Sequence, residues 1–279
     1  MPDLRKLFKR RHIIGLSAAL LLIVASWVGN VIYYQSMQLK GPLFIKTYMT
    51  ITQSGERIEL PYLENKSASR KVAQVILDEL PGLRFDISPG SPHEFAHQIL
   101  NTASAQWHAD EGGSLRLLQI HEATVIYNDG QSVRLPIGEI EIVPDTRETR
   151  LLQSLTTSGS TDGKGSEVVN LTEDAALEQI TWSYRDVLES YLHIRESDKP
   201  IDSLKLPLTL KRGAVLSFAY QWDIPRDRLI ELANYRPKLQ LTFRLKDGQK
   251  VRESLSLARG LYLSGQQIRQ LVQAGGEKP

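Results

Sequence analysis

Cysteine is absent from all 279 residues. That excludes disulfides, thiolate metal sites and anchoring through an acylated cysteine. Basic charge is also missing from most of the chain. Formal net charge is only +2, and the first twelve residues alone carry a net +4 from Arg5, Lys6, Lys9, Arg10 and Arg11 against Asp3. The remainder therefore sums to −2 and has no basic cluster, so composition offers no electrostatic case for a nucleic-acid partner. No G-x-S-x-G, P-loop or dinucleotide fingerprint occurs, and no serine stands in a recognisable nucleophile setting. Long helical patterns are scarce too.

One long hydrophobic run is present. Ile13 to Tyr34 is 22 residues without a charge, and at 1.5 Å per residue it spans about 33 Å, enough for a bilayer core. Its basic flank predicts a cytoplasmic N-terminus, and Trp27, Tyr33 and Tyr34 gather at the outer end, where amphipathic rings favour the interface. A cleaved signal peptide is the competing reading, with Val24-Ala25-Ser26 as its cut site. The apolar run continues eight residues past Ser26, longer than such a peptide needs. Residues 1–12 are thus expected inside and 13–34 across the bilayer, with the rest exported. A cysteine-free exported chain fits a bacterial cell envelope better than a eukaryotic secretory route.

Beyond a stalk at 35–42, β patterns dominate. Phe44–Thr52 and Arg57–Leu63 flank a turn at Ser54-Gly55-Glu56. Ala123–Tyr127 and Val133–Ile142 flank Asn128-Asp129-Gly130, and Leu239–Phe243 and Val251–Leu257 flank Lys246-Asp247-Gly248. Asp-Gly supplies the positive φ that tight hairpin turns demand. Asp129–Arg134 and Asp247–Arg252 agree at five of six positions, through duplication or through turn chemistry alone. Arg70–Leu80 reads as a strand, as do Glu178–Arg185, Leu204–Leu210 and Val215–Trp222.

The fold class expected is mainly β: an N-terminal transmembrane helix, then an antiparallel, Ig-like β-sandwich ectodomain in two units with a few short helices. The first unit is placed at 43–153 and the second at 168–258. Between them, 154–167 reads as a flexible connector, since Thr156–Gly165 has no large apolar residue. Residues 259–279 are expected to form a short amphipathic helix from Ser264 to Ala274, opened by a Ser264/Gln267 capping box, and a disordered tail. Asp227–Asn234 suggests another short helix.

His93-Glu94-Phe95-Ala96-His97 fits H-E-x-x-H and so resembles the zincin signature. The resemblance implies His93 and His97 as zinc ligands and Glu94 as the base of a membrane-anchored metallopeptidase. The competing reading takes Ser91-Pro92-His93-Glu94 as a helix start, with Ser91 as N-cap and Glu94 as its capping partner. Leu100 and Ala103 stand where a metzincin continuation needs Gly and His. A third reading makes Trp182, Tyr184, Tyr191, Tyr220 and Trp222 an aromatic platform for glycans, against the alternative that they are sandwich core. The reading preferred from sequence has no catalytic residue, no metal and no cofactor. It is a membrane-tethered envelope module for interaction, sensing or accessory work, with the lipid bilayer as one partner and an envelope protein or glycan as another.

Overall fold

The computed structural model describes residues 4–108, 117–143, 150–160, 162–225 and 232–275. The apolar run folds as part of one helix, α1 (Leu4–Ser36), with no proline to break it. Its stretch Gly15–Ser36 has a mean hydropathy of 2.0 and is not covered by the rest of the chain. By length and composition this helix is able to cross a bilayer, properties that a signal sequence also has.

Where α1 ends, the chain is built into the folded part. Asn65 forms a two-way bond with Leu39, its Oδ1 accepting from the Leu39 N–H at 3.0 Å and its Nδ2 donating to the Leu39 carbonyl at 2.8 Å. Gln98 Nε2 donates to the Met37 carbonyl. Tyr33 and Tyr34 set their rings edge-on to His97, at centroid distances of 6.1 and 5.3 Å.

The first sandwich comprises β1 (Leu43–Phe44), β2 (Thr47–Ile51), β3 (Arg57–Asn65), β4 (Val72–Ile76), β5 (Asp86–Glu94), β6 (Gln98–Gln106), β7 (Leu118–Tyr127) and β8 (Ser132–Ile142). One sheet runs β1-β3-β6-β5, and β2-β8-β7-β4 lie side by side in the other. Alternating apolar residues meet between them, with Ile58, Leu60, Val75, Ile120, Val125 and Ile140 fully buried.

The second sandwich comprises β9 (Leu152–Gly159), β10 (Lys164–Leu171), β11 (Ala175–Trp182), the one-turn α2 (Arg185–Leu188), β12 (Leu192–Glu196), β13 (Lys199–Pro200), β14 (Leu208–Leu210), β15 (Val215–Trp222), β16 (Asn234–Arg236), β17 (Lys238–Leu245) and β18 (Lys250–Ser256). Sheet β13-β12-β15-β10-β9 packs on β14-β11-β17-β18 around Leu177, Phe218, Leu239, Leu241 and Phe243. A strap, 257–264, then leads to α3 (Gly265–Gly275). Its capping box forms as expected: Ser264 N–H donates to Gln267 Oε1 at 2.8 Å, and Gln267 N–H donates to Ser264 Oγ at 3.3 Å. Ile268 and Val272 of α3 bury against Met37 and Leu63, so the last helix packs beside the end of the first.

The two sandwiches are joined through β2. It pairs in parallel with β8 on one side and with β16 on the other, so a strand of the second half completes a sheet of the first. Tyr48 stacks on Tyr235 at 5.3 Å, Tyr235 stacks on Trp222 at 5.6 Å, and Tyr184 meets Tyr48 edge-on. The Tyr184 hydroxyl donates to the Met49 carbonyl at 2.7 Å, with the Glu139 carbonyl 3.1 Å away. Lys238 pairs with Glu56 at 2.7 Å, and Arg236 pairs with Glu59.

Four expectations change. The helix expected from Ser91 is instead the hairpin β5-β6, because β6 pairs with β3 over nine consecutive residues, and that ladder outweighs a local capping signal. The connector expected at 154–167 is the hairpin β9-β10. Its small polar residues reflect an exposed edge strand, buried only at Leu152. Leu151 and Leu152 already belong to the second core while Ile142 belongs to the first, so the change of unit falls between them. Sheet pairing is antiparallel except at β2, where both neighbours run parallel. Residues 227–231 of the helix suggested at Asp227–Asn234, and residues 276–279 of the expected tail, lie outside the described residues, and Asn234, the last residue of that suggested helix, instead opens β16.

The repeated Asp-Gly-Gln segments make one and the same turn. Gly130 and Gly248 have φ of +80° and +88°. In both, the glycine N–H donates three residues back and the aspartate Oδ1 accepts from the following Gln N–H, at 3.1 and 2.9 Å. This is a type I turn with a G1 bulge in each hairpin.

Candidate ligand groove

The H-E-x-x-H segment comes to rest across a hairpin. His93 and Glu94 end β5, and His97 lies in the turn before β6. The zincin arrangement sets its two histidines one turn apart on a continuous helix, whereas here a strand end and a turn separate them. The side chains of His93 and Glu94 lie outside the described residues. That of His97 faces Tyr33 and Tyr34, and its backbone carbonyl accepts from Lys66 N–H at 3.0 Å. Among the described residues, no group of three or more His, Asp or Glu is disposed to hold a metal ion.

The aromatics do not form an exposed platform: Tyr184 and Tyr191 are half-buried and the other three are buried. Trp182, Tyr220 and Trp222 are 8%, 8% and 5% exposed, and Tyr184 is tied by its hydroxyl to the first sandwich. Burial pushes the Tyr184 and Tyr235 phenols above their ordinary range. Trp182, Tyr220 and Trp222 belong to the second core, with alternating Phe218, Tyr220 and Trp222 of β15 pointing between the sheets, and Tyr184 packs against that core.

Among the described residues, a concavity forms where three later segments meet. The β9-β10 turn contributes Ser160, Asp162 and Gly163, the end of β15 contributes Trp222 to Pro225, and the strap with α3 contributes Arg259, Tyr262, Ser264, Gln266, Gln267 and Gln270. It is an open, mainly polar groove of about 910 Å³. On the other side of the strap lies a second groove of about 530 Å³, lined by Glu59, Pro61, Phe95, Leu100 and Thr102 of the first sandwich together with Asn234 and Arg236. Arg259, Gly260 and Tyr262 border both. Tyr262 is 63% exposed, and its Cε2 lies 2.7 Å from where a Cβ on Gly260 would stand. A side chain at 260 would make the ring move aside.

Charge in the groove is damped. The Ser160 hydroxyl, and then Lys164, hold the Asp162 carboxyl below its ordinary range; Lys164 Nζ stands 3.4 Å from it. Asp223 accepts from Gln221 Nε2 at 3.0 Å and faces His193 at 3.7 Å. The groove therefore offers carboxylates already partnered and the Arg259 side chain, beside the amides of Gln266 and Gln270 and the Tyr262 ring. Trp222, among its lining residues, keeps a buried indole N–H with no hydrogen-bond partner among the described residues.

No family model matches this chain. No curated protein does either. Solved structures with a similar arrangement include a protein of unknown function from Porphyromonas gingivalis W83, 11% identical, covering 77% of this chain and 98% of that one with a TM-score of 0.23. The fibronectin(III)-like modules of Clostridium thermocellum CbhA are 10% identical over 77% and 92%, with a TM-score of 0.20. The D00-D0 domain of Intimin is 8% identical over 77% and 98%, with a TM-score of 0.21. The chain's own strands and cores define it as a β-sandwich protein.

Sequence reasoning missed the groove. Its walls come from segments some 100 residues apart, from Ser160 to Gln270. The one local signal was an aromatic in the glycine-containing strap, Arg259-Gly260-Leu261-Tyr262.

Proposed function

We propose that the chain is a membrane-anchored, extracytoplasmic module of a bacterial cell envelope. In this reading α1 spans the bilayer with its N-terminus in the cytoplasm, and the two sandwiches stand outside as a non-catalytic interaction or sensing unit.

One observation carries the reading: α1 continues unbroken through Val24-Ala25-Ser26 to Ser36 and then enters the fold through Met37 and Leu39. Cutting after Ala25 would leave Trp27, Val28, Ile32, Tyr33 and Tyr34 on an exposed helix facing water. Leaving several large apolar side chains hydrated costs about 1.5–3 kcal/mol each relative to burial, and a bilayer removes that cost. The basic flank sets the orientation. The extended backbone at 86–94 supports the absence of zincin chemistry, since the motif is not presented on a helix.

Because the chain has no cysteine, single reporters test the topology directly. In intact cells, Ser69→Cys should react with a membrane-impermeant maleimide, and Lys6→Cys should react only after lysis. The protein should stay in the pellet after alkaline carbonate extraction and keep its N-terminal peptide. A soluble form beginning near Ser26 would overturn the anchor. One tightly held zinc in the purified full chain, lost on His97→Ala, would overturn the non-catalytic reading.

A further inference from the structure

From the lining of the groove and the placement of Tyr262, we infer that this site binds a neutral polysaccharide: a chain of pyranose units lying across the strap, with Tyr262 as its stacking platform. The inference rests on the chain being an exported, non-catalytic module, and it names that module's ligand class.

Tyr262 is set apart from the sandwich aromatics. Trp182, Tyr220, Trp222 and Tyr235 are buried in or between the sandwiches, whereas Tyr262 keeps 63% of its surface exposed on a ridge between two grooves. Its ring lies over Gly260, where no side chain stands beneath it, so the other face is open to a ligand. A pyranose presents an apolar C–H face to such a ring and a rim of hydroxyls to the side.

The rim has partners. Gln266 and Gln270 offer amides with adjacent donor and acceptor atoms, and Asp162 offers a carboxylate; planar groups of this kind match pairs of neighbouring hydroxyls. An anionic ligand is disfavoured by the carboxylates of Asp162 and Asp223, which outnumber the Arg259 guanidinium at the groove, and a cationic one finds both carboxylates already partnered. An extended peptide would add to an open strand edge, but these walls are a turn, the end of β15, which is paired on both sides, a strap and the side chains of a helix. A volume of about 910 Å³ suits about three to five hexose rings, and the second groove continues the path beyond Tyr262.

The test uses the full chain in lipid nanodiscs, titrated with maltohexaose, cellohexaose and chitohexaose by calorimetry and saturation-transfer NMR. At least one hexasaccharide should bind. Tyr262→Ala should weaken it about tenfold and Tyr262→Phe less than about threefold, because the ring face carries the contact. Gln270→Ala should weaken binding severalfold. Tyr262 is exposed, so its variants should melt with the wild type. The inference is overturned if no hexasaccharide binds at ~10 mM, if Tyr262→Ala binds as the wild type does, or if a Ser/Gly/Gln hexapeptide binds more tightly than every sugar. Failure of the function reading is separately visible: cleavage of a bound sugar would refute a non-catalytic module, and release from the pellet would refute the anchor, with binding still measured.

Discussion

Gly138 is the position where one added methyl group should do most damage. It opens the parallel pairing of β8 with β2, opposite Thr47, at a φ of +104°. A Cβ there would stand 2.4 Å from the Thr47 carbonyl oxygen and 2.6 Å from its nitrogen. Both are backbone atoms of a buried strand paired on its other side with β16, so neither can swing away. Gly138→Ala therefore combines an unfavourable backbone conformation, about 1–3 kcal/mol, with overpacking of about 1–3 kcal/mol. A total near 4 kcal/mol lowers the melting point by about 10 °C in domains of this size. Gly130→Ala is the control: its φ is +80° but nothing lies within 4 Å, so it should cost only the conformational part, about 1 kcal/mol. Calorimetry of the full chain in mild detergent measures both. Because β2 also joins the sandwiches, Gly138→Ala should speed proteolysis around 233–238. Equal melting points for the two variants, or a drop below about 2 °C for Gly138→Ala, would refute the argument that β2 is immovable.

Further outcomes follow from the same structure. Tyr184→Phe removes the hydroxyl bond to Met49 across the unit boundary and should cost about 1–2 kcal/mol in chemical denaturation. Asp174 is held below the ordinary carboxylate range by Lys246, the Arg212 N–H and Lys211. Its stabilisation is thus present above about pH 4 and is lost as pH falls, so Asp174→Asn should flatten the acid side of the melting-point profile. Glu141 moves the other way. Burial raises it first, the Thr50 hydroxyl opposes, and Glu139 adds to the rise. Its favourable contribution is present at low pH and lost as pH climbs through the raised value, so Glu141→Gln should lift the melting point at pH 7 and leave it unchanged near pH 3. Ser264→Ala removes one arm of the α3 capping box and should cost about 1 kcal/mol in denaturation of the full chain.

Legibility followed the range of the interactions. The hairpins at 118–142 and 238–256 were visible because period-two alternation and Asp-Gly turns are local, and α3 was visible from Ser264, Gln267 and the stripe through Ile268 and Val272. The hairpin at 86–106 misled because Ser91-Pro92-His93-Glu94 is written like a helix start, while its strand identity comes from β3, some 40 residues upstream. β9 misled because an exposed edge strand has no apolar alternation to read. The groove was not legible, since no pattern along the chain marks Asp162, Tyr262 and Gln270 as partners.

By itself the sequence determined what depends on neighbours in the chain: a 22-residue helix able to span a bilayer, the tight turns, and the alternation that makes most of the rest strand. Tertiary structure alone decided the pairing of β2 with β16, the stack of Tyr48, Tyr235 and Trp222, and the meeting of Asp162, Tyr262 and Gln270 around one groove. The reason is physical. Turn and helix preferences are set within a few residues, but a parallel pairing or a groove needs surfaces from distant segments to bury together, and no local pattern records which distant surface that will be.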